Sequence, residues 1–298
     1  MRPIYVGFVA NVVLVLLKYL ASVNSQSASV NASLLHSLAD LTFSGLILAG
    51  TLAIKLKPSL RYPFGFGRAV YVAGFAAILV AVLYLLVGAI EEGLRKLANP
   101  FMEVTELSLV LVALSLSVNL VVLVDAVLKS RGKSHPALLA VIAENAADVT
   151  GDSAVLLALA FRNPLIDGYG AFVVASVIAV SSASLGYRYV VSLIGISAPR
   201  DVVGRVIKVA LSDPRVIDVN DVKSLMVEPN KYVIFLQVEV DPNTKVRELE
   251  DIRHYIENVV RSTTDRVDKV VIEFMGPREP VKSFASLLKE VVKLPEEA

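Results

Sequence analysis

The sequence predicts an α-helical membrane protein with six transmembrane helices and a C-terminal α+β domain. Two observations lead to this fold class. Hydrophobic residues make up 55% of the 298 residues and the mean hydropathy is +0.65, which is too apolar for an ordinary soluble domain. The charged residues are 19% of the chain, and most of them follow roughly residue 190, which indicates a separate polar domain there.

Six apolar segments are each long enough to cross a bilayer, which takes about 20 helical residues. They cover roughly residues 3–23, 30–55, 69–94, 104–128, 137–161 and 168–195, and most of the breaks between them contain Pro or Gly. The first segment follows Arg2 and resembles a signal peptide in outline. Because it can span a bilayer and more spans follow at once, we expect a retained helix.

The positive residues predict the orientation, because cytoplasmic loops carry an excess of Lys and Arg. One set of loops holds only Arg95, Lys96 and Arg162. The other set holds Arg2, Lys55, Lys57, Arg61, Arg68, Lys129, Arg131, Lys133, Arg188 and Arg200. We expect the second set, and with it both chain termini, to be cytoplasmic.

The chain after residue 198 has the composition of a small soluble domain, so we predict domains at 1–198 and 199–276 and a tail at 277–298. Helical periodicity covers 202–212 and 247–262, and strand patterns cover 221–227, 231–241 and 269–275. In the second strand, the apolar side chains share one face, and Gln237 and Glu239 share the other. The predicted order is α-β-β-α-β, a small α+β sandwich.

Few ionisable residues interrupt the apolar segments, and each costs about 2.5–3.5 kcal/mol near the bilayer centre. The second segment contains His36 and Asp40, and the fifth contains Glu144 and Asp148. Residues four apart share one helix face, so two pairs on two helices can converge as four ligands. One imidazole and three carboxylates suit a divalent cation. A structural ion-pair network is the alternative, but neighbouring carboxylates repel unless a cation lies among them.

Other polar residues of the spans have expected roles beside these ligands. Asp152 lies a further turn along the fifth segment, rotated by roughly 80° from Glu144, and is expected to line an ion or proton path. Asn145 and Asp125 are further candidates for that path. Lys18 is expected to extend towards the outer interface.

Several chemistries are excluded by composition. The chain has no cysteine, which rules out disulfides, thiolate metal sites and cysteine nucleophiles, and its net charge of +1 gives no reason to expect a nucleic-acid partner. No H-E-x-x-H motif is present, and "VTGDS" only half matches the context of a membrane aspartyl protease. We therefore expect a protein that is not an enzyme and has no organic cofactor.

At these residues the chain resembles the cation diffusion facilitators, a family of divalent-metal transporters. "SASVNASLLHSLADLTFSGLILAG" resembles the second-helix signature of the family, and "YPFGFGRAVYVAGFAAILV" the loop and helix that follow. Glu144 and Asp148 stand at the positions of the helix-5 ligands. "SDPRVIDVNDVKSL" and "VVIEF" resemble parts of the ferredoxin-like cytoplasmic domain of the family.

This resemblance implies a homodimer in the cytoplasmic membrane that exports a divalent metal in exchange for protons. Glu144 replaces a more common His or Asp, so manganese or iron is expected beside zinc, with cobalt and cadmium as further candidates. His254 and Glu273 are candidate regulatory ligands in the C-terminal domain. A passive carrier or channel, or a metal-sensing membrane protein without antiport, remains an alternative at this stage.

Overall fold

Six long helices occupy the six predicted apolar segments in the part of the chain that the structure describes. The structure is a computed structural model, and it describes residues 2–130 and 136–277, without the side chains of 2–6, 129–130, 136–141, 143 and 144. The helices are α1 (Arg2–Val23), α2 (Ala28–Ala53), α3 (Ala69–Ala98), α4 (Glu106–Ser130), α5 (Pro136–Phe161) and α6 (Pro164–Ile194). Residues 278–298 of the predicted tail lie outside the described residues.

Four of these described helices have the length and apolar composition to cross a membrane: Ala28–Ala53, Ala69–Ala98, Glu106–Leu128 and Pro164–Ile194. The described apolar part of α1, Gly7–Val23, is shorter. Helices suit this role because all of their backbone polar groups can be paired within the segment. The helical membrane domain is thus as predicted, while the number of six crossings stays a prediction.

The interior of the bundle is made largely of small and β-branched side chains, which lets the helices approach closely. Its core includes Ala21, Ala28, Val30, Ala32, Ala89, Val155, Leu159, Ala171 and Val174. Large apolar side chains such as Leu83, Tyr84, Val121 and Val180 are instead exposed on the outside. Such a broad exposed apolar surface is expected of helices that face lipid.

Helix α3 contains a π-helical turn at Ala81–Leu86. Turns of this kind are rare and often occur beside functional sites. Ala81, the first residue of the turn, lines the cavity described below.

A buried carboxylate fixes the start of α2. Asp167, at the N-terminal end of α6, is fully buried and accepts hydrogen bonds from the Ser27 hydroxyl at 2.6 Å and the Ala28 backbone N–H at 2.7 Å. It also accepts both the backbone N–H of Ser29, at 3.0 Å, and its hydroxyl, at 2.6 Å. The Lys96 ammonium lies 3.5 Å away. The negative charge therefore satisfies the free N–H groups of the α2 terminus and anchors the helix that carries His36.

The C-terminal domain has the predicted order of elements. It contains α7 (Arg200–Ala210), β1 (Val216–Glu228), β2 (Lys231–Val240), α8 (Val246–Thr263) and β3 (Val267–Met275). The sheet order is β1-β2-β3; β1 and β2 form an antiparallel hairpin, and β2 pairs in parallel with β3 after the α8 crossover. The core is formed by buried residues of both helices and the central strand: Val202, Val206, Ile207, Ile234, Leu236, Val238, Ile252, Ile256 and Val260.

The second face of β2 carries a buried carboxylate. Glu239 is only 4% exposed, and its carboxylate accepts a hydrogen bond from the Asn220 amide at 3.0 Å. Side chains of the neighbouring strands cover this face, since the same amide also lies 3.3 Å from the Met275 sulfur on β3. Alternation along one strand gives no information about that cover.

The chain divides into two compact units, one of residues 1–53 and 69–190 and the other of residues 54–68 and 191–298. The segment 54–68 belongs to the unit of the C-terminal domain, and within it the Arg68 guanidinium donates a hydrogen bond to the Met226 carbonyl at 3.0 Å. The predicted boundaries at residues 198 and 276 stay predictions.

Asp167→Ala should destabilise the protein strongly, because it leaves several buried donors at the start of α2 without an acceptor. Each unsatisfied buried group costs about 1–3 kcal/mol, so we expect a loss of at least ~3 kcal/mol. Thermal unfolding of the detergent-solubilised protein measures it. The control is Asp201→Ala, which removes an exposed carboxylate paired with Arg205 and should change the midpoint little. Equal midpoints for the two variants would contradict the anchoring role of Asp167.

Candidate metal centre

Three of the four predicted ligands converge between α2 and α5. His36 and Asp40 lie one turn apart on α2, and Asp148 lies on α5. The His36 Nε2 atom is 2.7 Å from Asp148 Oδ1 and 3.7 Å from Asp40 Oδ2. One ligand atom from each residue lies within 4.8 Å of the other two, and no other group of three or more such residues occurs in the described part of the chain. The helix spacing thus brings together an imidazole and two carboxylates.

These distances can be compared with those of a bound cation. Metal–ligand bonds of about 2.0–2.2 Å hold the donor atoms of a tetrahedral site roughly 3.3–3.6 Å apart. The 3.7 Å between His36 and Asp40 is close to this range, whereas the 2.7 Å between His36 and Asp148 is that of a direct hydrogen bond. A cation entering this group would replace that hydrogen bond and separate the two side chains by less than about 1 Å.

A small cavity adjoins the three ligands. Its volume is about 40 Å³, enough for one or a few water molecules, since one water needs roughly 10–15 Å³ of such volume. His36, Asp40 and Asp148 are part of its lining. Helices α3 and α6 contribute Ala77, Ile78, Ala81, Ile178, Ser181, Ser182 and Leu185 to the lining.

The buried His36 ring is held through one nitrogen. Its Nε2 atom makes the contact with Asp148, while the buried Nδ1 atom has no hydrogen-bond partner among the described residues. In protein metal sites the second ring nitrogen usually has a partner that fixes the ring. Here the His36 ring is therefore oriented by its contact with Asp148, not by a partner on the second nitrogen.

A second polar layer lies one turn away from the ligands and was missed by the sequence interpretation. Lys18 on α1 is buried, and its ammonium is 2.7 Å from Asp152 Oδ1 on α5. The Asp152 carboxylate also accepts hydrogen bonds from the Ser33 hydroxyl at 2.9 Å, the Ser115 hydroxyl at 3.0 Å and the Asn119 amide at 2.9 Å. These five residues connect α1, α2, α4 and α5, and they give Asp152 four donors.

The expectation that Lys18 extends to the membrane interface is wrong, because a buried carboxylate pairs with it inside the bundle. A signal for this pairing was present in the sequence, since a buried Asp152 needs a cation and Lys18 is the charged residue of the first span. The role of Asp152 on an ion or proton path stays a prediction. The four donors around the Asp152 carboxylate are typical of a structural group that keeps a fixed position.

The remaining predicted residues of the membrane part lie on α4 and α5. Asn145 is half-buried on α5, and Asp125 is exposed on α4. The α5 backbone places Glu144 one turn before Asp148, but the Glu144 side chain lies outside the described part of the structure. It stays a predicted fourth ligand.

The two candidate ligands of the C-terminal domain also lie apart from any cluster of three ligands within the described residues. His254 is exposed on α8, and its ring is 3.3 Å from the Arg253 guanidinium, an unfavourable neighbour for a cation. Glu273 is exposed on β3 and accepts a hydrogen bond from Gln237 at 2.8 Å. A regulatory site with these residues stays a prediction.

Comparison with known families gives two matches along the chain. The profile of the cation efflux transmembrane domain matches residues 4–194. The profile of the cytoplasmic domain of cation efflux proteins, named ZT_dimer, matches residues 198–274.

Similar proteins of known name come from several organisms. Metal tolerance protein 3 of Oryza sativa subsp. japonica is 26% identical over 280 residues, which are 91% of this chain and 67% of the rice protein. The cation-efflux pump FieF of Shewanella oneidensis is 29% identical over 248 residues, 80% of this chain and 81% of the pump. The mitochondrial proton-coupled zinc antiporter SLC30A9 of Xenopus laevis is 29% identical over 253 residues, 77% of this chain but only 45% of the antiporter.

Solved structures similar to this chain include the MamM CTD in nickel and zinc forms. The nickel form covers 27% of this chain and 100% of its own, with 18% identity and a TM-score of 0.25. The zinc form covers 28% of this chain and 89% of its own, with 16% identity and a TM-score of 0.25.

Lys18→Met should destabilise the bundle, because it leaves the Asp152 carboxylate buried without a cation. Breaking a buried pair in this way costs about 3–5 kcal/mol. The thermal midpoint of the solubilised protein should fall accordingly, and the double variant Lys18→Met/Asp152→Asn should recover part of the loss. Arg95→Met, which breaks the exposed pair with Glu92, is the control. A Lys18→Met protein as stable as this control would contradict the buried pair.

Proposed function

The chain belongs to the cation efflux family, also called the cation diffusion facilitators, and we propose that it exports a divalent metal ion in exchange for protons through a site formed by His36, Asp40, Glu144 and Asp148. Members of this family are divalent-metal efflux transporters rather than enzymes, and the chain is an integral membrane protein. The proposal therefore concerns the ion site, the driving force and the metal.

The observation that carries the proposal is the convergence of His36, Asp40 and Asp148 beside a cavity inside an apolar bundle. Two carboxylates this close to each other repel, and the imidazole can offset only one of them by binding a proton. A divalent cation offsets both. Glu144, one turn from Asp148 on the same helix, would complete a four-ligand set.

Proton coupling follows from the chemistry of the same ligands. Metal binding needs neutral imidazole and ionised carboxylates, so metal and protons compete for these atoms. The hydrogen bond between His36 and Asp148 is the arrangement in which a proton, rather than a metal, lies between them. We propose that metal enters from the cytoplasm, displaces such protons, and is itself displaced by protons from the other side.

The proposed cargo is zinc, manganese or iron, with cobalt and cadmium as weaker candidates. A set of one nitrogen and three oxygen ligands is harder than the mixed nitrogen and sulfur sites that favour zinc most strongly. Zinc is supported by the name of the Xenopus laevis antiporter. Manganese and iron are supported by the oxygen-rich ligand set of this chain.

We propose that the transporter is a homodimer with both termini in the cytoplasm. The name of the matching cytoplasmic domain profile supports a dimer. The excess of Lys and Arg in one set of loops supports the orientation.

Asp40→Ala and Asp148→Ala should each abolish most metal flux into sealed proteoliposomes. Mutating a residue that only supports a metal ligand typically costs 10–100-fold, so loss of a ligand should lower flux by about 100-fold or more. Thr150→Val on α5 is the matched control, because its hydroxyl is exposed and already bonds the Ala146 carbonyl of its own helix. Flux at the wild-type level in both alanine variants would refute the proposed site.

Antiport predicts that an imposed pH gradient drives the metal against its own gradient. Reversing the pH gradient at equal metal concentrations should reverse the direction of net flux, because protons and metal occupy the same ligands in turn. A passive carrier or channel would instead give downhill metal flux that ignores the pH gradient. A metal sensor would give no flux in either case.

A further inference from the structure

Ser182 on α6 lines the cavity beside the candidate ligands, and we propose that its hydroxyl holds a water molecule of the bound cation, which makes Ser182 a residue that determines metal specificity. This inference rests on the proposed function of the site. It concerns a helix that contributes none of the four proposed ligands. The cargo it would favour is a six-coordinate cation such as Mn²⁺ over a four-coordinate one such as Zn²⁺.

The first argument is the composition of the cavity wall. Ser182 is only 7% exposed and lines the same cavity as His36, Asp40 and Asp148. The other lining residues contributed by α3 and α6 are apolar except for Ser181. Within the described residues, these two hydroxyls are therefore the polar side-chain groups that α3 and α6 contribute to the cavity lining.

The second argument is that the Ser182 hydroxyl has no protein partner among the described residues. Serine and threonine in a helix often bond the carbonyl four residues earlier. Several do so here: the Ser176, Ser117 and Thr150 hydroxyls bond the carbonyls of Phe172 at 2.8 Å, Ala113 at 2.7 Å and Ala146 at 2.7 Å. Because Ser182 lines the cavity, its hydroxyl is available to a group inside the cavity.

The third argument is the fit between cavity and cation. The volume of about 40 Å³ exceeds what one water molecule needs, so an ion on the ligands can keep bound water on its open side. Four protein ligands complete a tetrahedral ion but leave a six-coordinate ion two positions short. Those positions are filled by water, which would lie in the cavity that Ser182 also lines.

The test is a competition of Mn²⁺ against Zn²⁺ for the purified full-length protein, together with the KM of each ion in proteoliposomes. Ser182→Ala should weaken Mn²⁺ binding about 5–10-fold, the effect of losing one hydrogen bond to a water molecule on the ion, and should weaken Zn²⁺ binding less than about 2-fold. Ser182→Thr keeps the hydroxyl and should restore the Mn²⁺ to Zn²⁺ ratio. Ser176→Ala is the matched control on the same helix, because the Ser176 hydroxyl is exposed and bonded within α6.

An unchanged Mn²⁺ to Zn²⁺ ratio in Ser182→Ala would overturn the inference, and so would an equal loss for both ions, which indicates packing alone. Wild-type protein that binds Zn²⁺ but no Mn²⁺ would also overturn it.

If Ser182→Ala does not fold, Ser182→Cys is the second variant. Its side chain has nearly the same volume and a softer donor atom, so it must lower the Mn²⁺ to Zn²⁺ ratio. Loss of flux in Asp40→Ala with an unchanged ratio in Ser182→Ala refutes this inference only, whereas retained flux in Asp40→Ala refutes the proposed function itself.

Discussion

Charged side chains inside an apolar bundle must be neutralised, and this constraint organises the membrane part of the chain. Two adjacent layers meet it differently. In one, the charges of Lys18 and Asp152 neutralise each other, and three uncharged donors form the remaining hydrogen bonds to the Asp152 carboxylate. In the other, His36 faces two carboxylates, so protein atoms alone leave an excess of negative charge. We propose that a cation, either a metal ion or protons, offsets the charge of the second layer.

The neutral layer also determines the spacing of the ligands. Ser33 precedes His36 by about one turn of α2, and Asp152 follows Asp148 by one turn of α5. A hydrogen bond of 2.9 Å between Ser33 and Asp152 therefore ties together the two helices that carry the ligands. Asp167 fixes the N-terminal end of α2, because it accepts hydrogen bonds from the first backbone N–H groups of that helix. In the proposed exchange of metal for protons, the contacts of the ligand layer would change while the adjacent layer keeps its own.

The sequence predicted those features of the fold that depend on local hydrophobic periodicity and residue spacing. The helices, the order of elements in the C-terminal domain and the i, i+4 spacing that puts His36 and Asp40 on one face of α2 are all local patterns. Lys18 was placed wrongly because its burial depends on Asp152, a partner distant in sequence. The burial of Glu239 likewise depends on side chains of the neighbouring strands, which the pattern of one strand does not show. Ser182 carries no signal in the sequence, because a serine among small residues of an apolar helix is typical of helix packing.

The central claim is that metal and protons compete for one site on α2 and α5. Calorimetric titration of the purified protein with Zn²⁺ or Mn²⁺, repeated in buffers of different ionisation enthalpy, counts the protons released for each metal ion bound. The account predicts one principal ion per chain, release of protons at mildly acidic pH, and loss of that binding in Asp148→Ala. Metal binding with the same enthalpy in every buffer, or binding that persists unchanged in Asp148→Ala, would contradict it.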